Sequence, residues 1–495
     1  MKLIKICENI KYKIDYICFP DINTQDILDN IENDDFFLNL NCFFGFIIQN
    51  KKTHDLRMIT DSVNSWHIYY NLETNKAEFF PDMNFYSNTI NSQALKCYLK
   101  YRYIMSPLFF FKNTQCCSNW SVTLLSNGKA KIIKSKQFEF NKDDILDSEF
   151  KEFIEYSFSN FIQKLDLKKA GVFLSGGMDS TGVAILLKKN ISDLKALSTI
   201  FPGYSFDENT FLESIIKKLS IDNKKFTMDY LDYIKFWEKM PYIYPQPVST
   251  HTGACFYKMA ENSIEKTIFS GFGGDEIFGG DIKYNSSIII DDYSNYVSKN
   301  SNLRFENGYE KFNSFIEFYK NDLDFGLKDN NIDFLSSMIN FNLTKWQGDY
   351  ENYTLNNIFN SLNKNHIAPM LIPSFVKKIN NVKNKYKING SITRYIYRKW
   401  IEKHTNSDFA YRQSQGFSVP LNKMFNNELK DYMEEKIYNF TKRKEFNCFF
   451  SKNEIYDNIK RLNNGENKYN SILIIIILEI FLTEYEKNKG SLYIS

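Results

Sequence analysis

A chain of 495 residues is long for one domain and sufficient for two or three, each with its own core. With 43% apolar and 24% charged residues it has an ordinary globular balance, and a net charge of +3 on singly scattered lysines leaves no nucleic-acid footprint. Eight cysteines without a Cys-x-x-Cys pair exclude a disulfide framework and argue against a zinc site.

The opening "MKLIKICENIKYKIDY" breaks every apolar pair with a charge or amide, so it lacks a signal-peptide core. "ILIIIILEIFL", Ile472 to Leu482, is too short to span a bilayer and carries Glu479, which predicts a buried helix or strand. A cytoplasmic protein with no membrane partner is the expectation.

Residues 1–145 read as β-rich. "FFGFIIQN", "DLRMITD" and "SWHIYYNLE" are short apolar or alternating runs between polar turns, and Phe109 to Phe111 reads as strand core. From 146 to 495 the texture changes. "SEFKEFIEYSFSNFIQKL" has helical spacing. Strand "AGVFLS", helix "STGVAILLKKN", strand "LKALSTIF", helix "DENTFLESIIKKLS", strand "KKFTMD", helix "ACFYKMAENSIE" and strand "KTIFSGFGG" then follow. Such alternation predicts an α/β fold with a parallel sheet covered on both faces. Beyond about 300 the segments read as longer helices. The Lys-rich "VKKINNVKNKYK" reads as a solvated face, with a hold on an acidic leader peptide as the functional alternative.

"GVFLSGGMDS", Gly171 to Ser180, places two glycines where a buried strand turns into a helix. Glycines let backbone amides approach a ligand, and the helix start favours an anion. Ser175, Ser180 and Thr181 add hydroxyls. Asp179 would repel a phosphate unless a cation such as Mg²⁺ bridges the two. The Lys and Gly spacing of the P-loop is missing. "FSGFGGDEIFGG", Phe269 to Gly280, is a second such turn, with Asp275 and Glu276. Two glycine-rich turns at the ends of parallel strands can face one crevice, where Asp179 and Asp275 could share a metal bound to a polyphosphate.

The pair "SGGMDS" and "SGFGGDEIFGG" resembles the asparagine-synthetase family of PP-loop ATP pyrophosphatases. "FDENTFLESIIKKLS" and "RQSQGFSVPL" resemble later family segments, and "NCFFGFIIQNKKTHDLRMITDSVNSWHIYY" is similar to the end of its N-terminal amidotransferase domain. The resemblance implies a PP-loop synthetase domain over 146–495 and a degenerate, Ntn-type amidotransferase-like domain over 1–145. It implies that ATP activates a carboxylate as an acyl-adenylate, with pyrophosphate released, before an amine attacks to form an amide. By that resemblance Leu174, Ser175, Gly176, Gly177, Asp179, Ser180, Ser270, Gly271 and Gly273 would bind ATP, and Asp179 and Asp275 would hold Mg²⁺ and serve catalysis.

The chain also departs from the family. Glutamine-dependent members expose a cysteine at the mature N-terminus, whereas position 2 is Lys2 and the first cysteine is Cys7. Glutamine hydrolysis is therefore not expected. Members whose amine belongs to the substrate, such as β-lactam synthetase and lasso-peptide cyclases, need no ammonia, and a tethered amine has a high effective concentration. A peptide or small metabolite carrying both groups is the expected substrate, a precursor peptide with its processing proteins the expected partners, and ammonia-dependent amidation of a free acid the alternative. Phe272 stands where relatives carry a polar group, and Ser414 where they carry a lysine; Arg412 and Lys423 are the candidate replacement cations. An inactive nucleotide-binding relative is the reading from another class. His251 precedes the helix into the second motif and could line the crevice; Tyr244, Gln246 and Tyr284 could touch substrate, though such residues more often pack a core.

Overall fold

The computed structural model describes residues 4–140, 143–203, 208–280, 334–412, 419–443, 446, 452–466 and 468–494. Tyr284 and Ser414 lie outside the described residues. The N-terminal strands are β1 (Lys5–Glu8), β2 (Tyr12–Phe19), β3 (Phe43–Asn50), β4 (Leu56–Thr60), β5 (Tyr69–Asn71), β6 (Lys76–Glu78), β7 (Thr89–Ile90), β8 (Thr114–Cys116), β9 (Ser121–Ser126) and β10 (Lys129–Ser135). An antiparallel sheet runs β1-β2-β3-β4-β9-β10, and a smaller one runs β6-β5-β8. Because strand side chains alternate, Ile14, Tyr16, Phe44, Phe46 and Ile48 pack under the short helices Thr24–Asp29 and Asp34–Leu38. Ile17, Ile47, Met58 and Leu125 point the other way, toward Tyr70 and Phe79 of the smaller sheet region. Phe109–Phe111 is fully buried, as a strand core would be, but it forms only a bridge from Phe111 to Ile90. The Phe110 amide donates to Gln246 Oε1 at 3.2 Å, so a side chain takes the hydrogen bond that a ladder would have used.

Helix Asp147–Lys164 opens the second half. Beyond it lie β11 (Lys169–Phe173), β12 (Asp193–Ile200), β13 (Asp222–Thr227), β14 (Thr267–Phe269) and β15 (Asn365–Ile367), all parallel, in the order β13-β12-β11-β14-β15. The apolar runs on both sides of this sheet (Val172, Ala196 and Ile268, all 0% exposed) mark it as covered on both faces. Strand order reverses between β11 and β14, whose C-terminal ends carry the two glycine turns. A crevice outside those ends is where such sheets bind ligands.

Helical segments complete this half. Asn342–Glu351 winds as a wide π-helix and continues as helix Asn352–Ser361. The hairpin β16 (Ile388–Asn389) and β17 (Ile392–Thr393) leads through Arg394 into helix Tyr395–His404. The run Ile472–Leu482 lies buried inside helix Tyr469–Lys489, where Glu479 is matched by Arg443 at 2.6 Å. Among the described residues no helix is long and apolar enough to cross a membrane. The last strand, β18 (Tyr493–Ile494), pairs with β7. The Lys-rich segment is not a simple solvated face. Lys378 reaches Asp143 at 3.1 Å, Lys383 and Lys385 hold Asp144, and Lys387 is fully buried, donating to the Asn380 carbonyl. Lys378, Lys383 and Lys385 pair with the acidic residues before helix Asp147–Lys164 while staying solvated, and Lys387 turns inward.

Candidate functional site

Both glycine turns open into one cavity of about 370 Å³, which falls in the range of small-molecule sites. Its wall includes Leu174, Ser175, Gly177, Asp179 and Ser180 from the first turn and Ser270, Gly271, Phe272, Gly273 and Asp275 from the second. The first turn is shaped by its own hydroxyls. Gly177 N–H donates to Ser175 Oγ at 3.1 Å, and Ser180 Oγ–H donates to the Gly177 carbonyl at 3.1 Å. Gly176 has φ +86°, a conformation that a side chain would strain. No side chain caps helix Met178–Lys188, which leaves its N-terminal amides to an anion in the cavity. The two turns are in backbone contact: a Cβ on Gly271 would lie 2.5 Å from Ser180 N and 2.7 Å from Asp179 C.

Asp179 and Asp275 converge on one guanidinium. Arg394 Nη1 lies 2.8 Å from Asp179 Oδ2 and 2.6 Å from Asp275 Oδ1, and the arginine side chain is only 2% exposed. Arg394 holds a left-handed backbone (φ +56°) where the hairpin enters its helix, a conformation uncommon outside glycine. Burial pushes the Asp179 carboxyl up to about 7; Arg394 opposes that rise and Asp275 adds to it. Asp179 Oδ1 is buried with no hydrogen-bond partner. Two carboxylates in the first turns of facing helices, one with an oxygen that has no hydrogen-bond partner, suit a Mg²⁺ that arrives with phosphates and keeps waters, since that ion needs only one or two protein carboxylates. No cluster of three acidic, His or Cys groups exists among the described residues, so the nucleotide would have to complete the shell.

Arg412 joins the site from behind: its guanidinium donates to the Gly176 carbonyl at 2.5 Å and stacks on Phe211, 4.1 Å from the ring centre. Lys423 does not join it. It is exposed on helix Leu421–Asn426 and absent from the cavity wall. His251 does line the cavity; burial and then Arg102 lower it to about 3, so it is neutral. Tyr244 and Gln246 are core residues, the first donating to the Thr354 carbonyl and the second accepting from Phe110.

Glu351, Arg394 and His366 were not singled out by their sequence neighbourhoods. Glu351 lines the cavity beside Trp346, Tyr350 and Thr354. Burial raises its carboxyl to about 7, reinforced by Asp275 and opposed by hydrogen bonds from Gln347 and Trp346 and by the Arg102 charge. His366 is buried beneath the second turn, between Asn356 Oδ1 (2.9 Å, Nδ1) and Ser270 Oγ (2.8 Å, Nε2). Asn356 Nδ2 already donates to the Ser65 carbonyl at 2.6 Å, so Asn356 Oδ1 accepts. His366 therefore carries its proton on Nδ1, and Ser270 donates to Nε2. Burial lowers His366 to about 3, which keeps that arrangement neutral. Phe272 meets Phe256 edge-on, with ring centres 5.6 Å apart, so this stretch of wall is apolar.

The asparagine synthase family pattern matches residues 163–479. A putative glutamine-hydrolyzing asparagine synthetase 2 of Methanocaldococcus jannaschii is 26% identical over 202 residues, 39% of this chain and 38% of that protein. Glutamine-hydrolyzing asparagine synthetase 1 of Bacillus subtilis is 24% identical over 251 residues, 48% of this chain and 39% of that protein. The chain thus spans about two-fifths of the length of these relatives. A solved NMN synthetase from Francisella tularensis aligns at 11% identity and a TM-score of 0.22, over 56% of this chain and 100% of that one. With the family pattern running through both glycine turns and on to the terminal helix, the chain belongs to the asparagine synthase family.

Proposed function

We propose that this protein is an ATP-dependent carboxylate–amine ligase that releases AMP and pyrophosphate and closes an amide within a peptide or small metabolite. The observation that carries this reading is the meeting of Asp179 and Asp275 at Arg394, across the strand-order reversal, in a cavity that also holds Glu351. In this reading the first turn and the helix behind it bind the phosphates. Asp179 and Asp275 would hold Mg²⁺, which when bound would supply positive charge toward the departing pyrophosphate. Arg412 keeps the Gly176 peptide in place, and Arg394 balances the carboxylates. Glu351 takes the proton from the attacking amine, because a carboxylate near 7 is matched to that task at neutral pH.

The amine belongs to the substrate in this reading because the N-terminal cysteines lack a nucleophile's surroundings. Burial and Asp15 push the Cys7 thiol up, and Cys18 and Cys42 are buried 3.2 Å apart. A second reading, nucleotide binding without ligation, is favoured by the apolar edge at Phe272. The test is Mg²⁺-ATP-dependent pyrophosphate release with a panel of amino-carboxylates and peptides, with and without ammonium, in wild type and Asp179→Asn. A product one water lighter than its substrate supports the cyclising ligase, and dependence on ammonium supports amidation of a free acid. ATP binding with no release under any condition supports the second reading.

A further inference from the structure

The helical segment Asn342–Ser361 has two faces with different owners. Trp346, Tyr350, Glu351, Thr354 and Leu355 line the cavity. Lys345, Gly348, Asp349 and Asn356 turn to the N-terminal sheets. Asp349, 1% exposed, lies 3.1 Å from His67 Nε2, and its other oxygen accepts from Ser106 N and Oγ at 2.9 and 3.0 Å. Lys345 Nζ donates to the Ser106 carbonyl at 2.8 Å. A Cβ on Gly348 would lie 2.8 Å from the Val63 carbonyl, so the helix backbone rests on the turn Asp61–Trp66. Asn356 binds the Ser65 carbonyl of that turn. The turn is itself fixed, because the buried Asp61 accepts from the backbone amides of Phe44, Val63 and Ser65 at 2.8, 3.0 and 3.0 Å. Two more N-terminal residues cover the cavity rings from behind. Arg102 lies 5.1 Å from the Trp346 ring centre and 4.9 Å from that of Tyr350, and Tyr103 stacks on Tyr350 at 5.1 Å.

A π-helix is a strained form that persists where surroundings hold it, and such turns gather at functional sites. Here the surroundings are the N-terminal sheets, and the gripped positions are interleaved with the cavity positions, Asp349 standing three residues after Trp346 and two before Glu351. We infer that the N-terminal region serves as a clamp on the ligation cavity, with Asp349, held by His67 and Ser106, as the positioning residue that sets where Trp346 and Glu351 stand. The clamp reaches the second glycine turn as well, through Ser65, Asn356, His366 and Ser270. This assigns the N-terminal sheets a role that does not depend on glutamine hydrolysis. The role of Glu351 rests on the proposed ligase reading; the clamp does not.

The test uses the full chain and the Trp346 fluorescence obtained by subtracting a Trp346→Phe background from each variant. The charges that reach Glu351 are Arg102 and Asp275, and its hydrogen bonds come from Gln347 and Trp346, so the indole reports its ionisation. In wild type the signal titrates and Glu351→Gln abolishes the titration. Asp349→Asn and His67→Leu shift its midpoint by about half a pH unit or more. They also raise acrylamide quenching of Trp346 by about twofold, with ATP affinity unchanged. His67→Gln, which keeps an N–H toward Asp349, restores both readouts. Variants that melt earlier yet leave midpoint and quenching as in wild type would overturn the clamp and leave the N-terminal sheets as a source of stability alone. If Glu351→Gln fails to remove the wild-type titration, the base reading falls, and the quenching arm still decides the clamp.

Discussion

The first glycine turn and the helical segment Asn342–Ser361 face each other across one cavity, but they hold their shapes by different means. The turn is closed by its own residues: hydroxyls within six residues shape it and Gly176 gives it the left-handed step, while Arg412 and Arg394 add distant holds on the Gly176 carbonyl and Asp179. The helical segment is globally determined. Its wide winding and the outlook of Glu351 depend on His67, Ser106 and Ser65, which lie about 240 to 290 positions earlier. A site assembled in this way has one end shaped first by its own residues and another shaped first by distant ones.

Variants at each end sharpen that contrast. The largest effect is expected from Asp179→Asn, which removes the charge opposite Arg394 and should lower carboxylate-dependent pyrophosphate release by about 10²–10³-fold. Glu351→Gln should slow amide formation by about 10²-fold while leaving ATP binding intact, and should erase the acidic limb of the rate profile near pH 7. Its stability effect has a definite sign. The folded carboxyl keeps a proton that the unfolded chain releases at lower pH, so wild type loses stability as pH rises toward 7. Glu351→Gln should therefore melt higher than wild type above pH 7, with the gain disappearing near pH 4, as read by thermal unfolding across pH.

His366→Leu should cost about 1–3 kcal/mol in denaturant unfolding, because it strands the Asn356 carbonyl oxygen and the Ser270 hydroxyl in a buried place. Lys423→Ala should change release by no more than about twofold, as expected for an exposed side chain away from the cavity. A large loss there would bring Lys423 back as a cation of the site and break the contrast drawn here.

The locally determined end was the legible one. The glycine turns, their strands and helices, and the convergence of Asp179 with Asp275 follow from spacing and backbone chemistry within short windows. β3 spans the very run "FFGFIIQN", and β11 to β14 overlap the four segments read as strands. What escaped was set by distant partners. Nothing in "SITRYIYRKW" signals that Arg394 is buried between two aspartates. In "KWQGDYENYTLNN" the alternation of gripped and cavity-facing positions becomes visible only when the partners are known. Phe109–Phe111 had strand composition, but a glutamine took the amide of its middle residue. The Lys-rich segment is solvated at Lys378, Lys383 and Lys385, but their counter-charges, Asp143 and Asp144, lie over two hundred positions away, and nothing local marked Lys387 as buried.

Arg394 has a consequence for the resting protein. Two acidic turns that meet in one crevice would push each other apart whenever the divalent ion left; here a counter-ion is built into the polypeptide and never departs. Assembly of the two loops is thereby uncoupled from magnesium supply. Chelation with EDTA should leave the melting temperature unchanged, whereas Arg394→Gln should make loop order, and with it the melting temperature, depend on added magnesium.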